Sequence, residues 1–292
     1  MKQTMMIKIP ARENLPETSI YAEVYTQSGK LGERDVMLLI PGGPGNDHTT
    51  YDSPDHSITK ALTPYVDIIL FDPRGCGDSE TSNPQHCTLE YYIDDIESIR
   101  AHFQIHSNQL IIFGQSYGSI AALGYAIKYP LALKKLVIIG GACSSEFLNE
   151  AKENLLRIGT LEQQQFAQKI WNGAFTGTQE EVAEYYEVMG SLYAYTFKPG
   201  GPTPALTYNV EVLNLGFSQF LKQFDYRSKL SQIKCKTLIF WGNDDWICDK
   251  KQADIIHHGI AGSELRVYLQ CSHLLWIDQW EKFVKNMIDF LL

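Results

Sequence analysis

The sequence predicts an α/β fold: a mostly parallel central sheet flanked by helices, with a helical segment inserted into it. Three observations lead there. Short continuous apolar runs (Val36–Ile40, 66–71, Leu110–Phe113, 136–139 and 237–241) read as strands buried on both faces. Helical patterns separate them, the alternation that builds a parallel sheet covered on both sides. Between residues 142 and 227 the alternation stops, and helical stretches rich in aromatics replace it.

The chain opens with Met1-Lys2-Gln3-Thr4, which no secretory apolar core follows. Residues 18–25 alternate as an exposed antiparallel strand would, and Ser28-Gly29 marks a turn. The run Val36–Ile40 stops at Pro41-Gly42-Gly43-Pro44-Gly45, a rigid loop bare enough for its backbone to approach a ligand. The next strand, 66–71, ends in Asp72-Pro73-Arg74-Gly75-Cys76-Gly77-Asp78-Ser79. Leu89, Tyr92, Ile93, Ile96 and Ile99 give the stretch from Thr88 to Phe103 a helical period.

Leu110–Phe113 leads into Gly114-Gln115-Ser116-Tyr117-Gly118-Ser119, and an alanine-rich helix runs on to Tyr129-Pro130. Gly-x-Ser-x-Gly between a strand and a helix lets the chain reverse sharply and leaves the serine hydroxyl at the apex, beside unpaired N–H groups of the helix. A serine that merely caps the helix is the competing reading.

After the strand 136–139, closed by Gly140-Gly141, comes the irregular segment. It holds helical stretches at 149–157 and 162–171, a Pro199-Gly200-Gly201-Pro202 loop, and the aromatics Trp171, Phe175, Tyr185, Tyr186, Tyr193, Tyr195, Phe197 and Tyr208. These predict a core domain made of 1–141 and 228–292 and a helical cap, or lid, spanning 142–227. The sheet resumes at 237–241 and is followed by Gly242-Asn243-Asp244-Asp245-Trp246. A helix at 250–258, a strand at 265–269, Gln270-Cys271-Ser272-His273 and a helix at 278–291 complete the chain.

In 292 residues, 44% hydrophobic and 20% charged, there is enough chain for one large core with an insertion. The net charge of −9 argues against nucleic-acid or anionic-membrane partners. No run approaches the length of a membrane span. Six scattered cysteines without a Cys-x-x-Cys pair predict reduced thiols and a cytoplasmic location. Neither a phosphate-cradling Gly-x-Gly-x-x-Gly nor a His-Glu-x-x-His occurs, so neither a cofactor nor a metal is expected.

Ligands of open parallel sheets bind at the carboxyl ends of the strands. The Pro-Gly loop, Ser116, Asp244/Asp245 and His273 all share that address. A serine hydroxyl needs a base to take its proton, and the base needs a group that fixes its tautomer. His273, just past the last strand, is the expected base; His257 and His258 fall within a helix. On chemistry alone either Asp244 or Asp245 serves as the acid.

The chain resembles the proline iminopeptidase group of α/β hydrolases through Pro41–Gly45, Asp72–Ser79 and Gly114–Ser119, with Gly242, Asp245 and Cys248 around the acid. Phe224-Asp225-Tyr226-Arg227 resembles the stretch that re-enters the core after the family's cap. The resemblance implies an α/β-hydrolase fold, Asp245 rather than Asp244, and an oxyanion hole made by the backbone N–H groups of Gly43 and Tyr117. It also implies a substrate that is a short peptide or small molecule, with an amino-terminal residue, proline favoured, released through an acyl-enzyme. Two positions depart from the family pattern: Pro41 stands where the family has histidine, and Ser272 where glycine is common.

Iminopeptidases hold the substrate amine with cap carboxylates. Glu180, Glu181, Glu184, Glu187 and Glu211 are available for that here, and Glu211 is the chosen one. Arg74 and Asp78 are expected to brace loops rather than touch substrate. Two other functions are compatible with the same residues: an esterase, lactonase or other small acyl hydrolase, and a non-catalytic protein that uses the fold to bind a ligand or partner.

Overall fold

The computed structural model describes residues 1–12, 15–200 and 208–292. In chain order its elements are β1 (Lys2–Ile9), β2 (Thr18–Tyr25), β3 (Val36–Ile40), α1 (Ile58–Leu62), β4 (Asp67–Phe71), α2 (Leu89–His102), β5 (Leu110–Gln115), α3 (Tyr117–Lys128) and β6 (Lys135–Ile139). Then come α4 (Phe147–Ile158), α5 (Leu161–Trp171), α6 (Gln179–Tyr193), α7 (Val210–Ser218), β7 (Lys236–Gly242), α8 (Lys250–Gly259), β8 (Glu264–Tyr268), α9 (Leu275–Asp278) and α10 (Trp280–Leu291). No helix of the described residues is long and apolar enough to cross a membrane.

All eight strands form one sheet in the order β1-β2-β4-β3-β5-β6-β7-β8. β1 and β2 pair antiparallel, as do β2 and β4; every other neighbour is parallel. Successive side chains alternate faces, so each apolar run feeds two cores. Leu38, Ile112 and Ile138 point toward α2, α3 and α8, where Ile96, Leu123 and Ile256 meet them. Leu39, Phe113 and Val137 point the other way, toward Leu62, Phe283 and Met287 of α1 and α10. Burying each such side chain contributes about 1.5–3 kcal/mol relative to leaving it in water. Threonines start three of the helices: Thr88, Thr160 and Thr178 each accept a backbone N–H, and Thr160 with Gln163 forms a full capping box.

One expectation is corrected. β2 is an inner strand, not an exposed one, because β1 covers its outer edge and Ile20, Ala22 and Val24 are all buried. β1 itself carries no apolar alternation until Ile7 and Ile9, so its pairing is decided by β2 rather than by its own pattern. The helix expected at 278–291 is α10, and a short α9 precedes it with a turn at Gln279.

Between β6 and β7 the described residues form four α-helices with an apolar cluster of their own, in which Leu155, Phe166, Phe175, Met189 and Leu213 pack together. The ends of this segment pair with one another. Ser145 N–H donates to Phe224 O (2.9 Å) and Tyr226 N–H to Cys143 O (2.7 Å). Of the Pro199-Gly200-Gly201-Pro202 loop, residues 201 and 202 lie outside the described residues.

Candidate active site

Ser116 sits between β5 and the first turn of α3 with φ 54° and ψ −121°, a left-handed φ that a non-glycine residue rarely adopts. The reversal requires glycine beside it: a Cβ on Gly118 would stand 2.1 Å from the carbonyl oxygen of Ile40. Ser119 locks the same turn, with its buried Oγ 2.6 Å from Gly114 O while it accepts Ile139 N–H (3.0 Å). Ser116 N–H donates to Ile139 O (2.9 Å). Its side chain makes no capping bond to α3, which removes the reading of Ser116 as a helix cap.

The loop after β7 delivers Asp245, buried, and the loop after β8 delivers His273, also buried. Asp245 Oδ1 accepts the N–H groups of Ile247 and Cys248, both at 3.0 Å. Its Oδ2 lies 2.8 Å from His273 Nδ1. A carboxylate only accepts, so this contact puts the imidazole proton on Nδ1 and leaves the lone pair on Nε2. Nε2 makes no hydrogen bond among the described residues. Gly140, the residue after Ile139, lies directly beneath the pair: a Cβ there would be 3.0 Å from His273 Nδ1 and 3.2 Å from Asp245 Oδ2. The serine turn and the imidazole therefore meet across two consecutive residues at the end of β6.

Asp244 is exposed and accepts the Tyr195 hydroxyl (2.7 Å) instead. His257 and His258 lie on α8, bonded to Ser263 Oγ and Asp254 O. The Pro-Gly loop is held by two tyrosines that the sequence did not single out. Tyr51 donates to Ile40 O (2.5 Å), and Tyr92 donates to Pro41 O (3.3 Å). These bonds brace the loop at the position where Pro41 replaces the family's histidine. Burial pushes both phenols up, so they stay protonated donors.

Arg74 braces, as expected; the exposed Asp78 contributes its backbone N–H rather than its charge. Arg74 is buried and forks onto Asp95 (3.0 and 2.9 Å), and Asp78 N–H donates to Asp72 Oδ2 (2.8 Å). Among the described residues one group places potential metal ligands close together: Asp47, His48 and Asp72. Their atoms already have partners, with His48 Nδ1 2.6 Å and its backbone N–H 2.8 Å from Asp72 Oδ1, and Thr49 N–H on Asp47 Oδ1 (2.9 Å). The cluster forms a polar strut behind the Pro-Gly loop.

Two ends of the helical segment touch the site. At the close of α6, Tyr193 O accepts Leu274 N–H (2.9 Å) and its ring meets the His273 ring edge-on, centroids 5.9 Å apart. Ser272, the second departure from the family pattern, uses its hydroxyl to bind Leu192 O (2.5 Å). At the start of α7, Asn209 donates its N–H to Gly45 O (3.0 Å) and its Nδ2 to Gly75 O (2.7 Å). Of the acidic candidates, Glu180, Glu184, Glu187 and Glu211 are exposed, Glu211 in the first turn of α7. Glu181 is buried and bound to Thr176, Gly177 and Lys169.

A family model described as alpha/beta hydrolase fold matches residues 35–279. The chain is 31% identical to proline iminopeptidase PfmaB from Pestalotiopsis fici, across 89% of this chain and 93% of that one. It is 25% identical to a proline iminopeptidase from Lactobacillus acidophilus, across 93% and 94%. Among solved structures, an alpha/beta fold family hydrolase from Bacillus anthracis shares the fold, with a TM-score of 0.78, full coverage of both chains and 19% identity.

Proposed function

This chain belongs to the α/β hydrolase fold family, in its proline iminopeptidase-like group, and on that premise we propose that it is a serine hydrolase working through a Ser116–His273–Asp245 triad. The observation that carries the reading is the Asp245–His273 hydrogen bond of 2.8 Å, which fixes the imidazole and leaves Nε2 bare for base duty, with Ser116 held at positive φ on the loop after β5. Hydrogen-bond contact between nucleophile and base is often loose before substrate binds.

Ser116 Oγ attacks the substrate carbonyl while His273 Nε2 takes its proton. The oxyanion accepts hydrogen bonds from the N–H groups of Gly43 and Tyr117, each worth about 3 kcal/mol in the transition state. His273 passes the proton to the leaving group, and Asp245 stabilises the imidazolium in between. Water, deprotonated by the same imidazole, then cleaves the acyl-enzyme. Residues 142–227 act as the cap over this site. The substrate is a short peptide whose amino-terminal residue, proline favoured, is released, and Glu211 meets its amine.

A second reading, a small-acyl esterase with the same triad, is favoured by one observation. Four of the five cap glutamates are exposed and the fifth is engaged elsewhere. A panel of aminoacyl arylamides and aryl esters separates the two. Turnover of prolyl and alanyl arylamides supports the peptidase, and an ester-only profile overturns it. Fluorophosphonate labelling that persists in Ser116→Ala overturns the serine hydrolase reading altogether.

A further inference from the structure

The carbonyl groups in a helix's last turn lack donors within the helix and take them from elsewhere. At the end of α6, two consecutive carbonyls take theirs from the loop after β8. Ser272 Oγ donates to Leu192 O (2.5 Å), and Leu274 N–H donates to Tyr193 O (2.9 Å). These two donors are the residues immediately before and after His273. Between them the Tyr193 ring stands edge-on to the imidazole.

Ser272 is joined to more than the helix. It is 3% exposed, and its Oγ lies 3.1 Å from the backbone oxygen of Asp244, the neighbour of Asp245. Its N–H reaches Asp278 Oδ2 (3.4 Å). The other oxygen of Asp278 accepts the N–H (2.9 Å) and the hydroxyl (3.0 Å) of Thr196, just past α6. Gly242 makes room for the approach, since a Cβ there would stand 2.2 Å from Ser272 O. The helical segment, the acid loop and the histidine loop therefore meet at residue 272. Glycine, common in the family at this position, would supply the backbone but no hydroxyl. The bond to Leu192 O thus comes from this chain's own departure.

We infer that Ser272 is a positioning residue: its hydroxyl fastens the end of α6 to the loop carrying His273, so that the imidazole is held in line only while that helix is seated. The inference rests on the serine hydrolase reading and adds a control over its base. Lifting α6 from the core breaks the bonds on both sides of His273 together. The ring is then free to leave the place that its bond to Asp245 requires.

The test uses the full chain. Ser272→Ala and Ser272→Gly each delete the hydroxyl. Tyr195→Phe deletes a bond between the same end of the helical segment and Asp244, without touching residues 272–274. Kinetics are read on the best substrate of the arylamide and ester panel. A displacement of about 1 Å costs on the order of 100-fold in rate, so a partial loosening should lower kcat about tenfold in both Ser272 variants, with KM within about twofold of wild type. Tyr195→Phe should keep both constants within about twofold. Nitrogen NMR spectra of the histidine rings need no substrate, and the His273 signals are assigned by their absence from His273→Gln. Those signals should report an Nδ1-protonated ring in the wild type and in Tyr195→Phe, and should shift or broaden in the Ser272 variants. Thermal melting establishes which variants are folded. In a folded Ser272 variant, wild-type kcat, a change in KM alone, or unshifted His273 signals would overturn the inference. An equal kcat loss in Tyr195→Phe would overturn it too, as general loosening of the helical segment. Failure of the hydrolase reading looks different: turnover is absent from the wild type or survives in Ser116→Ala. The ring spectra alone then decide whether Ser272 sets the imidazole.

Discussion

Gly140 has no side chain at the point where the His273 imidazole stands, and a Cβ there would meet Nδ1 at 3.0 Å and Asp245 Oδ2 at 3.2 Å. Its φ of 51° also disfavours any L side chain. Gly140→Ala should therefore push the imidazole out of line. A misplacement of about 1 Å is worth on the order of 100-fold in rate, and the backbone strain should cost about 1–3 kcal/mol. Steady-state kinetics and a melting curve on the same preparation check both. Wild-type kcat in a folded Gly140→Ala protein would contradict the close fit.

The two neighbouring aspartates should separate cleanly. Asp245→Asn leaves the loop in place but lets the side chain donate toward Nδ1, which favours the wrong imidazole tautomer; kcat should fall by roughly 10³–10⁴. Asp244→Asn removes only the charge that receives the Tyr195 hydroxyl and should stay within about threefold of wild type. Equal losses in the two variants would refute the assignment of Asp245.

His48 supplies a pH signature. Burial alone would lower its pKa, but the hydrogen bond to Asp72 and the charges of Asp72, Glu23 and Asp47 outweigh burial and leave it above the ordinary histidine value of 6.5. A raised folded pKa stabilises the protein fully below the unfolded value, and the contribution is lost as pH rises through the folded value. His48→Gln should thus lower Tm most at about pH 5.5–6, and the gap to wild type should narrow in alkaline buffer. A gap that widens with pH would reverse the sign and exclude an imidazolium there.

The Arg74–Asp95 pair is fully desolvated, and burial raises the Asp95 pKa in spite of the facing guanidinium. Arg74→Met leaves a carboxyl buried without its partner and should cost about 3–5 kcal/mol in denaturant unfolding. Replacing both residues by apolar ones of similar volume should recover much of that loss.

The parallel half of the sheet is legible in the sequence because each strand there is apolar on both faces. Val36–Ile40 is one such strand, with all five residues buried. β1 is not legible, since its exposed residues mix Lys2, Gln3, Thr4 and Lys8 with Met6 and only pairing with Thr18–Tyr25 makes it a strand. Ser116, Asp245 and His273 could be named because each follows a strand that announces itself. Tyr51, Tyr92, Tyr193 and Asn209 could not: their contacts with the site join residues 11 to 164 positions apart, and nothing local marks them. The choice among the cap carboxylates rests on less, for a related reason. A glutamate on an amphipathic helix looks the same whether it faces water or a ligand.

The paired ends of the helical segment give it the character of a cassette. Residues 143–145 and 224–226 hydrogen-bond across a narrow neck, so whatever lies between them enters and leaves the protein at one point. Replacing that stretch with one of different length leaves the register of β6 against β7 untouched. Grafting a relative's segment between these two hydrogen-bonded strips should retune substrate choice while the strands, and the three loops they carry, keep their places.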